Sequence, residues 1–409
     1  MGDFYQSGSI ATLHNLVDRP LEALEAELCQ FSHTRPMSLV LPSLFSELQG
    51  EALENIVQHL QKVPYLSEIV VGLDRASEDE FRQAIDFFGR LPQHHRILWN
   101  DGPRLKALDQ RLQQEGLAPQ EAGKGRNAWY CLGYVQASGK GKAIALHDCD
   151  IVTYDRSLPA RLFYPVANPV FSYEFCKGYY ARVTDKTING RVSRLLVTPL
   201  IRSLKKIYPN MEYLDYLDSF RYPLAGEFSM QADVVSDLRI PSDWGLEIGL
   251  LSEVFRNYSC NRLCQVDIAD RYDHKHQDLS EHDDSGGLSK MSIDITKAIF
   301  RKLAINGVVF SNETFRSIKA TYYRMALDFV EMYNNDALMN GLQLDIHREE
   351  QAVELFAGNI VKAGNIFLDN PMETPFIPSW NRVVSAIPSI LCDLREAVEA
   401  DRREFGGRD

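Results

Sequence analysis

The sequence predicts a doubly wound α/β domain followed by a helical region, and three features carry that prediction. Short, continuously apolar runs bounded by turn residues recur through the first half, helix-like segments lie between them, and amphipathic stretches take over beyond about residue 282. Runs without alternation suit strands buried on both faces, as in a parallel sheet, and strands alternating with helices read as βαβ units.

In chain order, the expected strands are 38–44 (SLVLPSL), 68–73 (EIVVGL), 96–100 (RILWN) and 143–148 (AIALHD), with a further strand in PVFSYEF, 169–175. Helices are expected between them, among others at 50–62 (GEALENIVQHLQK) and 126–137. The segment 169–278, with its aromatic and glycine-rich stretches, reads as an elaborated active-site half. After HDDSGG four amphipathic helices are expected; the clearest spans 313–335, where Phe315, Ile318, Tyr322, Met325, Phe329 and Tyr333 recur at helical spacing. That stripe reads as core or interface. The expected division is an N-terminal extension (1–37), a catalytic domain (38–280) and a helical C-terminal region (281–409) that offers a subunit interface.

Composition narrows the function. With 409 residues and 45% apolar content the chain can bury a large core, and a formal charge of −12 argues against a nucleic-acid binder, which needs a basic face. The seven cysteines are scattered without zinc spacing, so a reducing compartment is the simplest reading. The first thirty residues have no long apolar stretch and no run reaches membrane-spanning length, so a cytoplasmic protein without a membrane partner is expected.

The sharpest chemical signal is the strand AIAL running into His147-Asp148-Cys149-Asp150. Acids at the carboxyl edge of an open α/β sheet sit where such folds bind ligands, and hard oxygen donors there suit Mg²⁺ or Mn²⁺ bridging a diphosphate. A D-x-D alone is also what a solvated acidic turn looks like. Gly123-Lys124-Gly125 opens a helix-like segment, where glycines let amides approach a phosphate and Lys124 adds a cation. Lys177, Arg182, Lys186, Arg191 and Arg194 stand against a single acid, Asp185, a local reversal of sign that suits either an anion pocket or a solvated basic face. Glu247, among apolar neighbours after Trp244, is expected to be partly desolvated, and His274 offers a nitrogen ligand to the cation of Asp150.

The ordered set VLPSLFSE, EIVVGLD, GKGRNAW, ALHDCD, NGRVSRL, PLAGEF, WGLEIG and YDHKHQDL, from about residue 38 to 280, resembles the glucosyl-3-phosphoglycerate synthases, retaining transferases of glycosyltransferase family 81. The resemblance implies a GT-A fold and a Mg²⁺- or Mn²⁺-dependent transfer of glucose from a nucleoside-diphosphate glucose to 3-phosphoglycerate, in the synthesis of glucosylglycerate. It implies that Pro42, Leu44, Glu47, Asp74, Asp148 and Cys149 line the nucleotide site, that Lys124 contacts the donor, and that Asp150 and His274 hold the cation. Leu224, Trp244 and Glu247 would form the sugar pocket, and Gly190, Arg191, Val192, Ser193 and His276 the acceptor site. Glu247, Lys124 and Asp150 are the candidates for catalysis. Departures from the family pattern are Ser193 for threonine, Trp244 for tyrosine and His276 for asparagine. A mannosyl-3-phosphoglycerate synthase using GDP-mannose, a sugar-phosphate nucleotidyltransferase and a non-catalytic scaffold are the alternatives. A homodimer is expected on symmetry grounds.

Overall fold

The computed structural model of the chain describes residues 6, 8–119, 121–184, 186–273, 287–371 and 376–406. Its strands are β1 (Ala11–Leu13), β2 (Met37–Leu44), β3 (Leu66–Asp74), β4 (His95–Trp99), β5 (Ala143–Leu146), β6 (Phe175–Tyr180), β7 (Phe228–Gln231) and β8 (Leu263–Ala269). They form one eight-stranded sheet in the order β1-β8-β6-β7-β5-β2-β3-β4. Neighbours run parallel except at β7, which is antiparallel to both β5 and β6.

The unalternating runs explain why these segments are interior strands. Side chains point to opposite faces in turn, so Val40, Val70, Leu98, Ile144 and Leu146 enter one apolar cluster while Leu39, Leu41, Ile69, Val71, Ile97, Ala143 and Ala145 enter the other. Helices cover both faces, as the doubly wound reading requires. Helix Glu51–Leu60 and helix Lys124–Ser138 stand close to where they are expected.

Two expectations change. The segment 169–175 is not the strand; β6 begins at Phe175, where that run ends, because helix Ser157–Ala167 closes just before Pro169 and residues 168–174 are taken up by the connection to the sheet. β5 stops at Leu146, two residues before Asp148.

The helical region comprises, among the described residues, helices Gly287–Ile305, Asn312–Met339, Ile346–Asp369, Trp380–Ala386 and Ile390–Phe405, one more than expected. Phe315, Ile318, Tyr322 and Phe329 are buried, with Met325 and Tyr333 packed beside them, so the stripe is core. These side chains share one apolar cluster with Val40, Val70 and Ile144 of the sheet, each fully buried one contributing about 1.5–3 kcal/mol. Trp380 stacks on Trp129 at 4.1 Å between ring centroids. Residues before 38 supply β1 and helix Leu21–Ser32. No described helix is long and apolar enough to cross a membrane.

Candidate active site

The site starts from a difference in strand length. β2 pairs with β5 only as far as Val40↔Leu146 but continues beside β3 to Leu44↔Asp74. The chain leaving β5 therefore diverges from the sheet, and His147, Asp148, Cys149 and Asp150 follow at the carboxyl end of that strand, where open α/β sheets bind ligands. His147 fixes this turn: it is fully buried, with Nδ1 3.0 Å from the Asp148 carbonyl and Nε2 3.1 Å from the Tyr154 hydroxyl. Burial pushes its imidazole down to about 4, so it is neutral.

Lys124 is the hub. It is the first residue of helix Lys124–Ser138, and its Nζ lies 2.6 Å from Asp148 Oδ1 and 3.3 Å from Glu247 Oε1. Burial pulls the ammonium down, but the Asp148 and Glu247 carboxylates outweigh it and hold it above the usual lysine range. The geometry depends on Gly125, where an added Cβ would stand 2.2 Å from the Pro241 carbonyl oxygen. That close approach lays the helix start against the segment that carries Trp244 and Glu247. On the far side, a Cβ on Gly226 would meet Asp148 Oδ2 at 2.4 Å.

Of the residues expected to line a nucleotide, Pro42 and Leu44 lie at the end of β2, level with Gly72 and Asp74 of β3. Glu47 folds back to accept from the Leu44 amide (3.1 Å) and the Ser43 hydroxyl (3.0 Å), and burial raises its carboxyl despite these donors. Asp74, raised by burial, accepts from Asn100 Nδ2 at 2.8 Å and faces Arg126 at 3.6 Å. The Cys149 side chain packs into the apolar cluster, which leaves its backbone, not its thiol, facing away from the core.

In the segment expected to bind the acceptor, Gly190 (φ 79°) leads into a stretch of π-helix, Val192–Val197, and the Arg194 amide donates to the Gly190 carbonyl at 3.0 Å. Arg191 and Arg194 are brought together there, and Val192 is buried. The buried donors Asn189 Nδ2, Ser193 Oγ and Arg194 Nη1 have no hydrogen-bond partner among the described residues. Leu224 is partly buried just before Gly226, and Trp244 is 40% exposed.

Three buried side chains near these residues are assigned no site role by the sequence reading, although Lys177 stands in the basic cluster noted there. Glu227, fully buried, accepts from the hydroxyls of Tyr180 (2.7 Å) and Tyr272 (2.6 Å), whose rings stack at 3.7 Å. Only its place in PLAGEF marks it in the sequence. Lys177, 1% exposed, lies over the Phe228 ring at 5.5 Å, and burial pulls its ammonium down to about 8 against the pull of Glu247 and Glu227. Glu349, which pairs with Arg191 and Arg194, has no local sequence signal.

His274 and His276 lie outside the described residues. The chain leading to them is fixed: the Val152 amide donates to the Asp273 carbonyl at 2.9 Å, the Asp273 amide donates to Thr153 Oγ1 at 3.1 Å, and the Tyr272 amide donates to the Ala181 carbonyl at 3.1 Å. Residue 273 is thus tied to the segment that follows Asp150. Among the described residues no group of three or more His, Cys, Asp or Glu side chains is arranged to hold a metal ion. The donor set nevertheless fits Mg²⁺ or Mn²⁺, which take few protein ligands and complete their shell with phosphate oxygens and water. Burial, then Asp148 and Glu47, push Asp150 up to about 7, a concentration of carboxylates that a divalent cation relieves.

No family model matches the chain. The glucosyl-3-phosphoglycerate synthase of Persephonella marina is 46% identical over 404 residues, covering 99% of this chain and 100% of that one. That of Methanococcoides burtonii is 38% identical, covering 98% and 99%. A crystal structure of the Mycobacterium tuberculosis enzyme of the same name, in complex with Mg²⁺ and uridine diphosphate, matches with a TM-score of 0.53 at 21% identity, over 74% of this chain and 89% of that one. That likeness confirms the fold. With relatives of 46% and 38% identity spanning essentially the whole chain, this protein belongs to the glucosyl-3-phosphoglycerate synthase family.

Proposed function

We propose that the chain transfers glucose from a nucleoside-diphosphate glucose to 3-phosphoglycerate, giving glucosyl-3-phosphoglycerate, with Mg²⁺ or Mn²⁺ as cofactor. One observation supports this most: Lys124, Asp148 and Glu247 converge within ion-pair distance at the open end of the sheet, in a chain of this family. A divalent cation, held by Asp150 and His274, would supply charge stabilisation to the departing diphosphate.

The chain's own residues do the rest. Lys124 presents a permanent positive charge to the diphosphate, its protonation secured by two carboxylates. Glu47, the end of β2 and Asp74 orient the nucleotide. Glu247 stands in the sugar pocket with Leu224 and Trp244; because its carboxylate is engaged by Lys124, it orients sugar hydroxyls better than it attacks carbon. The segment 190–194 supplies the donors that grip the acceptor, with Arg191 on its phosphate or carboxylate. Retention then follows if the acceptor hydroxyl approaches on the face the diphosphate leaves, a diphosphate oxygen taking its proton.

Residues 38–280 form the catalytic unit in this reading and 281–409 the helical region, a candidate homodimer interface. All seven cysteines are free thiols, which supports a reducing, cytoplasmic setting. The test is an assay of product release, scanning UDP-, ADP- and GDP-glucose and GDP-mannose against 3-phosphoglycerate and glycerate, with Mg²⁺, Mn²⁺ or EDTA. Complexes of the tuberculosis enzyme hold uridine diphosphate, so UDP-glucose comes first. Metal-dependent release of nucleoside diphosphate with glucose and 3-phosphoglycerate supports the reading, mannose preference moves it to the sister activity, and pyrophosphate release overturns it. NMR of the product's anomeric proton decides retention, and light scattering decides the dimer.

A further inference from the structure

The segment 190–194 does not stand alone. Glu349, in the first turn of helix Ile346–Asp369 and 1% exposed, brings its Oε1 to 2.6 Å from Arg191 Nε and its Oε2 to 2.8 Å from Arg194 Nη2. Arg194 is held from a second side, its guanidinium lying 4.8 Å from the centre of the Tyr333 ring on helix Asn312–Met339. The loop between these helices is tied to the same segment, since the Gln343 amide donates to the Lys186 carbonyl at 2.7 Å.

We propose that Glu349 is a positioning residue for the acceptor site, fixing the Arg191 and Arg194 guanidiniums so that the helical region sets the affinity for the phosphorylated acceptor. The inference rests on the acceptor site proposed above. Its physical basis is the way the pair is spent. Glu349 takes the Nε edge of Arg191, which leaves the Nη1–Nη2 fork for a carboxylate or phosphate, the planar recognition at which arginine excels. One carboxylate against two guanidiniums leaves the pocket net positive, as a polyanionic acceptor needs. Without Glu349, Arg191 can take other rotamers, and each acceptor bound must first order it. A carboxylate so deeply buried is also what lets two cations lie side by side away from water.

Steady-state kinetics with UDP-glucose and 3-phosphoglycerate, on full-length Glu349→Gln, Glu349→Asp, Arg191→Ala and the Arg191→Ala/Glu349→Gln double variant, test this. Glu349→Gln should raise the acceptor KM about tenfold, the scale on which an outer partner tunes a ligand-binding group, while the donor KM and kcat stay within about twofold. In the Arg191→Ala background the same change should add little, because the two act through one interaction. Glu349→Asp keeps the buried charge but draws it back from Arg191; it should raise the acceptor KM less, and it carries the test if the glutamine variant does not fold. An acceptor KM that is unchanged or lowered in the Glu349 variants, while Arg191→Ala raises it, overturns the inference alone; a lowered value would mean that Glu349 competes with the acceptor for Arg191. An unchanged acceptor KM in Arg191→Ala overturns the acceptor site itself, and this inference with it.

Discussion

Gly125 offers the cleanest perturbation of the site, because it removes no functional group. In Gly125→Ala the new methyl would lie 2.2 Å from the Pro241 carbonyl oxygen and 2.9 Å from Ser242 Cα, against a practical minimum of 3.0 Å. Both obstacles are backbone, so the helix start and the 241–247 segment must part by about 1 Å. Lys124 precedes Gly125 directly, and a shift of that size takes its 3.3 Å contact with Glu247 out of ion-pair range. Overpacking of this kind costs about 1–3 kcal/mol, partly offset by the better helix propensity of alanine. A displacement of about 1 Å at a positioning group costs on the order of 100-fold in rate. We therefore expect a folded enzyme, cooperative in denaturant unfolding, whose kcat/KM for nucleoside diphosphate release falls on the order of 100-fold. Gly123→Ala, whose methyl would sit an ordinary 3.5 Å from the Ser242 carbonyl, should lose far less. Wild-type kcat/KM in Gly125→Ala would show that the close approach of these two segments does not position Lys124 for turnover.

Two further outcomes follow from the buried groups His147 and Glu227. The His147 imidazole is depressed from 6.5 to about 4, so below pH 6.5 the unfolded chain takes up a proton that the folded chain refuses, and stability falls as the pH is lowered. Between pH 7 and pH 5 the loss should be about 2 kcal/mol; His147→Asn should flatten that limb of a stability–pH profile, and an unaltered profile would refute the assignment. Tyr272→Phe leaves the buried Glu227 with one phenol donor fewer and loosens the segment that leads to His274. It should raise the Mn²⁺ concentration needed for uridine diphosphate binding several-fold with the acceptor KM unchanged, and an unchanged metal titration would contradict that coupling.

The legible parts of this fold are those whose physics is local. Residues 143–146 bury both faces, so an apolar run ending in acids announced both a central strand and its functional edge. Lys124 was legible because glycines flank it at a helix start. β6 lies just beyond the expected run, in FCKGYY, where Lys177 breaks the apolar pattern; only the tertiary surroundings, with Glu227, Glu247 and the Phe228 ring nearby, make that lysine tolerable in an interior strand. β7 was hidden in a four-residue segment with a serine and a glutamine, too short for periodicity. Glu349 lies 158 residues from Arg191, and nothing in a single sequence links an ordinary helix glutamate to so distant a partner. The cation site rested on Asp150 and His274 together; the structure describes only the first, with residue 273 fastened beside it.

The most direct test of the account is the metal increment in diphosphate binding. Calorimetric titration of uridine diphosphate into the wild-type protein and Asp150→Ala, each with saturating Mn²⁺ and then with EDTA, reads it without turnover. The account predicts that Mn²⁺ tightens binding to the wild type by at least tenfold and that Asp150→Ala binds equally weakly in both conditions. An Asp150→Ala protein that keeps the full Mn²⁺ increment would contradict it.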